Sequence, residues 1–171
     1  MPAADEFRRW FDYEKDCHAK VLGALGAVPE PGRAAPEYRR SVTLMAHIVA
    51  ARRVWLFRLG AERECPQPAD FFPEGVTLPD LARRVDHMHA AWSGYLSRLD
   101  DAAAARPFEY RSFEGEWFRT TVADILTQLF GHSSYHRGQI ALLLRSGGFE
   151  PVTTDFVYWA REAIPPPAGA E

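Results

Sequence analysis

Two histidines one helical turn apart are the residues of this sequence best suited to chemistry. His132 and His136 lie in the stretch TVADILTQLFGHSSYHRGQIALLLRSGG, where apolar residues recur at helical spacing. A separation of four residues offsets two side chains by about 40° around a helix and by about 6 Å along it. Both imidazoles can therefore point inward together, which is what a metal ion needs from two ligands on one helix.

A third histidine, His47, lies in the middle of another apolar segment that is predicted to be helical. A di-iron centre would need glutamates on several helices, and a zincin motif would need glutamate where Ser133 follows His132. What remains is a mononuclear site of His47, His132 and His136, with water in an open fourth position, as in catalytic zinc sites. Nickel, iron or manganese suit the same ligands. The alternative is that the histidines are polar core residues with hydrogen bonds of their own.

Four amphipathic helices are predicted to position these histidines. Apolar residues at intervals of three and four mark helices over 5–25, 37–59 and 77–99. The fourth helix begins at a capping box formed by Thr121 and Asp124 and ends at Gly147. The predicted fold class is therefore all-α, a four-helix bundle in which side chains on facing helices can build a cofactor site.

The remaining segments complete a single domain over residues 1–164. Residues 107–119 alternate in polarity around a turn at Glu114-Gly115, which favours a short β-ribbon or an extended crossover before the fourth helix. A short C-terminal helix is expected within 151–163, and the proline-rich tail over 165–171 is expected to be disordered.

Composition excludes several classes of protein. A length of 171 residues with 47% hydrophobic content supports one sizeable core, and a net charge of -3 leaves no basic face for nucleic acid or an anionic membrane. The chain shows no long apolar run and no signal-peptide layout, so a soluble, cytoplasmic protein is expected. In that compartment Cys17 is expected to fill the core and Cys65 to be a loop thiol, without a disulfide.

Several other polar residues have two interpretations each. Glu14 and His18 lie one turn apart and either pair, support a metal site, or form a partly exposed edge, which we favour. His87 and His89 are two residues apart, cannot chelate as a pair, and are predicted to lie on the surface. Arg137 is expected to form a structural ion pair with Asp155 or Glu150.

Residues near the histidine pair are open to similar alternatives. Gln139 is expected either to hydrogen-bond within the bundle or to orient a water. Phe71 and Phe72, in the long loop after the second helix, are expected to pack onto the bundle rather than line a substrate pocket. A stripe of small residues on the fourth helix would let another helix approach, within the bundle or across a dimer; its members are Gly131, Ser134, Gly138 and Ala141.

Two segments, LMAHIVAARRVWLFRLG and LFGHSSYHRGQIALLLRSGGFEPVTTDFVYW, together resemble the DinB/YfiT-like superfamily of bacterial proteins. That family carries a histidine in helix two, a His-x-x-x-His-Arg-Gly-Gln run in helix four, a Leu-Arg-x-x-Gly end and an Asp-led short helix. The matching residues here are His47, His132, His136, Arg137, Gly138, Gln139, Leu144, Arg145, Gly148 and Asp155.

The resemblance implies a bundle in up-down-down-up order, a divalent-metal site at the three histidines, and frequent homodimers. It also implies thiol-dependent transfer or isomerisation with a low-molecular-weight thiol. The first hypothesis is thus a metal-dependent transferase or hydrolase for a small molecule, with a metal-bound water or thiolate as the reacting group. The alternative is a non-catalytic metal-binding stress-response bundle, whose histidines stabilise the fold or sense metal.

Overall fold

Four long helices form the bundle of the computed structural model, which describes residues 3–165. The elements in chain order are α1 (Ala3–Ala27), α2 (Pro36–Arg58), α3 (Leu78–Leu96), α4 (Asp101–Ala105), β1 (Pro107–Arg111), β2 (Trp117–Thr121), α5 (Val122–Ser146) and α6 (Phe156–Ala160), with 3-10 turns at Glu30–Ala34 and Pro68–Asp70. The all-α fold class, the ribbon before the fourth long helix and the short C-terminal helix are confirmed. The tail predicted to be disordered spans 165–171, and all of it except its first residue lies outside the described residues.

The long helices meet along one hydrophobic core. α2 packs against both α5 and α3, and α1 packs against α3. Their inward faces are fully buried and include Leu25, Met45, Ile48, Trp92 and Ile140. Removal of this apolar surface from water is the main stabilisation of such a bundle. Cys17 is fully buried and Cys65 half-buried, both as free thiols, as the sequence predicts.

The segment between α3 and α5 is more structured than periodicity alone indicates. α3 ends at Leu96, and α4 begins a separate turn of helix because the Asp100 side chain accepts a hydrogen bond from the amide of Ala103 at 2.7 Å. β1 and β2 then pair antiparallel from Pro107 opposite Thr121 to Arg111 opposite Trp117. A paired ribbon, rather than an open crossover, therefore connects α4 to the start of α5.

The start of α5 is fixed by the predicted capping box. Thr121 Oγ1 accepts from the amide of Asp124 at 3.1 Å, and Asp124 Oδ2 accepts from the amide of Thr121 at 3.1 Å. These bonds satisfy amides that have no partner inside the helix. They set where α5 begins, and so where its two histidines lie along the bundle.

No helix within residues 3–165 is long and apolar enough to cross a membrane. The homodimer and the cytoplasmic location expected from the sequence stay predictions.

Candidate metal centre

Three histidines from two packed helices converge on one point. His47 comes from α2, and His132 and His136 come from α5. Nε2 of His132 lies 3.1 Å from Nε2 of His47 and 3.2 Å from Nε2 of His136. One nitrogen from each ring lies within 4.8 Å of those of the other two. The structure therefore brings together all three residues that the sequence singles out as ligands.

Two of the rings are oriented by acceptors on their far nitrogens. His47 Nδ1 lies 3.0 Å from the carbonyl oxygen of Phe71, and His136 Nδ1 lies 2.7 Å from Oε1 of Gln139. Because both oxygens accept, each Nδ1 carries the proton and each Nε2 keeps its lone pair facing the cluster. Of the two roles expected for Gln139, the structure shows the hydrogen bond within the bundle.

The third ring is held by packing instead. Nδ1 of His132 is buried and has no hydrogen-bond partner in the described part of the chain. Its ring lies edge-on to that of His136, with ring centres 4.5 Å apart, and 5.0 Å from the ring centre of His47. Nε2 of His132 faces the lone pairs on Nε2 of His47 and Nε2 of His136. Because it carries at most one proton, it can donate a hydrogen bond to only one of them.

This donor set fits a divalent ion. Tetrahedral coordination with metal to nitrogen distances of about 2.0 to 2.1 Å places neighbouring ligand nitrogens about 3.4 Å apart. The two shortest separations, 3.1 and 3.2 Å, are close to that value. Imidazole ligands suit zinc and nickel, and also iron. Two of the three ligand separations are therefore already close to those of a tetrahedral metal site.

Two of the three candidate ligands, His132 and His47, favour the neutral form. Burial, followed by the positive charges that His136 and His47 would carry, lowers the pKa of His132 to about 4. Burial also lowers the pKa of His47, and the charges of His136 and Arg40 add to this effect. A neutral imidazole is the form that binds a metal ion, so few protons compete with a metal at these two ligands.

Two phenylalanines of the loop after α2 form one wall of the site. The ring of Phe72 stacks on His47 with centres 4.3 Å apart and planes 6° apart, and Phe71 packs against Phe113 of the ribbon turn at 5.6 Å. Phe72 is also 47% exposed and lines a cavity of about 690 Å³ with Arg40. The predicted packing onto the bundle is correct, and Phe72 in addition faces open space.

A buried ionic network lies behind the histidines, and the predicted position of its carboxylate, Glu14, is wrong. Glu14 has no exposed surface and forms ion pairs with Arg52 and Arg137. It is therefore not part of a partly exposed edge. Arg137 does form a structural ion pair, but its partner is Glu14, not Asp155 or Glu150, because α1 packs over the side of α5 that carries Arg137.

Charge compensation explains how these groups tolerate burial. Burial by itself raises the pKa of Glu14, but the nearby positive charges, that of Arg52 foremost, outweigh it and hold this pKa below its usual value. Arg52 also donates to Oγ of Ser133 at 3.2 Å, which links the network to the residue next to His132. A buried charge without such partners would be strongly destabilising.

The prediction that His89 lies on the surface is also wrong. His18 is fully buried, and its Nδ1 lies 2.9 Å from Nε2 of the half-buried His89, with the two rings stacked. His87, by contrast, is exposed, as predicted. His87 and His89 do point in different directions, as predicted. However, α1 packs against α3 and covers the side of α3 that carries His89.

Arg52 is not among the residues predicted from the sequence, although its position in the helical pattern indicates that it is buried. Ile48, Arg52 and Leu56 are spaced by four residues, so Arg52 lies on the buried apolar line of α2. An arginine on such a line must find a buried partner. That partner could have been sought among carboxylates on equally apolar faces, of which Glu14 is one.

The stripe of small residues on α5 is not covered by a helix of the bundle. Gly131, Ser134 and Gly138 are exposed. A Cβ atom added at Gly131 or at Gly138 would meet no described atom within 4 Å. Of the two alternatives for this stripe, close approach of a helix within the bundle does not occur at these positions, and approach across a dimer stays a prediction.

Comparison with known proteins gives the family that the two sequence segments resemble. The sequence model described as the DinB superfamily matches residues 23–140. Protein DinB of Bacillus subtilis (strain 168) is 31% identical over 51 residues. That match covers 30% of this chain and 30% of the relative, so the chain spans less than a third of that protein's length. Among solved structures, none matches this chain.

Proposed function

The chain belongs to the DinB superfamily, and on that basis we propose that it is a divalent-metal-dependent enzyme acting on a small molecule. Thiol-dependent transfer or isomerisation with a low-molecular-weight thiol is the favoured reaction, and hydrolysis is the second candidate. One observation carries the proposal: the Nε2 atoms of His47, His132 and His136 meet at one point, with the lone pairs of His47 and His136 directed there.

The protein groups around the site suit this role. A divalent ion bound there would supply Lewis acidity, which lowers the pKa of a thiol or a water. Phe71 and Gln139 fix the rings of His47 and His136, and Phe72 shields the face of His47 from water. The Arg40 guanidinium lies 5.3 Å from the ring centre of Phe72 and would stabilise a negative charge on a substrate in the neighbouring cavity.

The composition of the cluster favours thiol chemistry over hydrolysis. Attack by water usually draws on a general base beside the metal, whereas a thiol with a lowered pKa is itself a strong nucleophile. Among the described residues, the metal-binding cluster consists of three histidines and includes no carboxylate. Thiol transfer therefore does not need a carboxylate base in the cluster, whereas hydrolysis usually would.

Cobalt substitution tests this proposal directly. Protein loaded with Co²⁺ is titrated with glutathione or 2-mercaptoethanol, and near-ultraviolet absorption from thiolate bound to cobalt is recorded. We expect this absorption to appear at pH 7, below the usual pKa of about 8.5 for a free thiol. The variant His136→Ala should show none, and Cys65→Ser should match the wild type.

Absence of the absorption in a wild-type protein that has bound cobalt would contradict the thiol mechanism. Bound metal without metal-dependent turnover of thiol or hydrolysable substrates would instead support the non-catalytic metal-binding bundle.

A further inference from the structure

A second cavity lies on the side of α5 away from the histidines. It has a volume of about 610 Å³, within the range of small-molecule sites, and is formed by α1, α5 and the start of α6. On a helix, Gly131 and Ser134 are rotated by roughly 100° to 160° from His132. The cavity is therefore separate from the candidate metal centre, and nothing in the proposed reaction uses it.

Aromatic rings form its walls. The ring of Trp10 lies 4.6 Å from that of Phe156 with planes 26° apart, and 5.7 Å from that of Phe130. Phe7 stacks beside Phe130 at 6.4 Å. Flat apolar walls of this kind favour a planar ring as ligand, since offset stacking adds to the gain from burial. The ligand's main body is thus expected to be aromatic.

The floor is kept open by small residues. Gly131 and Ser134 both line the cavity and are exposed. A Cβ atom added at Gly131 would have no described atom within 4 Å, so the space above this glycine is free. Any larger side chain there would project into the cavity without disturbing the core. The residue at 131 therefore controls how much of the cavity a ligand can enter.

A buried positive charge lies at the base. The Arg137 side chain lines the cavity, is only 1% exposed, and has an Nε atom without a hydrogen-bond partner within residues 3–165. Arg52 and Arg137 share Glu14, the one carboxylate with which the described structure pairs them, so the network carries one excess positive charge. Charge in a low-dielectric interior acts strongly on a nearby group and favours a negative one.

Carboxylates at the mouth limit the charge of the ligand. Glu6 and Asp155 also line the cavity, but both are exposed, and water and salt screen exposed charges. They would oppose a second negative group near the entrance. The ligand is therefore expected to have one anionic group at its inner end and no charge at its outer end.

We propose that this cavity binds a small aromatic monocarboxylate. Its ring lies among Trp10, Phe130 and Phe156, and its carboxylate is directed toward Arg137 and the Ser134 hydroxyl. This site is independent of the metal centre, so failure of one leaves the other untouched.

Calorimetric titration with three matched probes tests the proposal: phenylacetate, phenylacetamide and benzylammonium. We expect phenylacetate to bind the wild-type protein with a dissociation constant at least about tenfold lower than that of phenylacetamide, since a charge-assisted contact contributes that much. Benzylammonium should not bind. Equal binding of acid and amide, tighter binding of the cation, or no binding of phenylacetate would overturn the proposal.

Two glycine variants locate the site. Gly131→Leu should abolish phenylacetate binding because its side chain fills the cavity. Gly138→Leu is the matched control and should bind as the wild type does, since Gly138 is an equally open glycine two turns along α5 that does not line the cavity. Unchanged binding by folded Gly131→Leu would overturn the assignment. If circular dichroism shows that Gly131→Leu is unfolded, Ser134→Phe is used in its place.

A second copy of the chain is the competing occupant. Light scattering on the same three proteins distinguishes it, because an interface along this stripe would be disturbed by both Gly131→Leu and Gly138→Leu. A wild-type dimer that both substitutions dissociate, together with no phenylacetate binding, would overturn the proposal. An oligomeric state unaffected by either variant, with the probe results above, supports it.

Discussion

At the scale of single residues, Glu14 is the charge that the interior depends on most. It lies between the guanidiniums of Arg52 and Arg137, and all three side chains are nearly inaccessible to solvent. Each guanidinium would be costly to bury alone, because a low-dielectric interior cannot replace the water it loses. One carboxylate therefore makes two buried cations on different helices compatible with a packed core.

Replacing this carboxylate should destabilise the protein strongly. Glu14→Gln keeps the size of the side chain but leaves both arginines without a counter-charge, so we expect a loss of about 3 to 5 kcal/mol in the free energy of unfolding. Urea unfolding at pH 7.5 measures it. The control Asp12→Asn removes an exposed pair with Lys15, at 2.8 Å, and should cost less than about 1 kcal/mol. Equal stability of Glu14→Gln and wild type would contradict the network's role.

The sequence predicts the convergence of the histidines and not this network, for a physical reason. His132 and His136 are related by helical geometry alone, and His47 needs only that α2 and α5 face each other. The partners Glu14, Arg52 and Arg137 lie on three helices, so their contacts depend on the relative rotation of all three. Local periodicity does not fix that rotation, and Asp155 was therefore as plausible a partner of Arg137 as Glu14.

At the scale of elements, the β-ribbon and the cap of α5 position two of the three candidate ligands. Turn and cap residues make such boundaries visible in a sequence, because Thr121, Asp124 and a glycine in the turn have local conformational roles. Gly115 in that turn adopts a φ of 96°, which side chains disfavour. The separate helix α4 was missed because five residues are too few to show a period.

Removal of the cap should weaken α5 modestly and leave the histidine cluster intact. Thr121→Ala loses the hydrogen bond to the amide of Asp124, which we expect to cost about 1 kcal/mol in urea unfolding. Metal content should not change, because His132 lies about 16 Å further along the helix. Thr127→Ala, at an exposed site inside α5, is the control and should cost nothing. A similar loss in both variants would argue against a specific capping effect.

At the scale of the whole molecule, several buried neutral histidines tie stability to pH. Burial lowers the pKa of His18 to about 3 and that of His89 to about 4, whereas the unfolded chain titrates near 6.5. Between these values the unfolded state binds more protons than the folded state. Stability is therefore greatest above about pH 6.5 and falls as the solution is acidified, by up to about 1.4 kcal/mol per pH unit for each such histidine.

Urea unfolding of chelator-treated protein at pH 7.5, 6.0 and 5.0 measures this dependence. His18→Asn should reduce the slope between pH 6.0 and 5.0 by about 1 kcal/mol per pH unit, since one depressed histidine is lost. His87→Asn, which removes an exposed imidazole, should keep the wild-type slope. Stability that is constant or rises on acidification over this range would show that these histidines are not buried in the neutral form.

The bundle as a whole gives α5 three functions. One side carries His132 and His136, another carries the open floor of the aromatic cavity, and Ser133 and Arg137 join the ionic network between them. Both sites therefore depend on a single helix that the core holds in place. Metal binding by the histidine side of α5 is the central claim about this molecule.

Metal content of untagged protein tests that claim most directly. Elemental analysis of wild type, His136→Ala and His87→Ala should give about one divalent ion per chain in the first and third proteins, because a three-histidine site holds one ion. His136→Ala should contain far less, having lost a ligand whose Nε2 lies 3.2 Å from that of His132. Equal and negligible metal in all three, even after incubation with zinc or nickel, would contradict the metal centre.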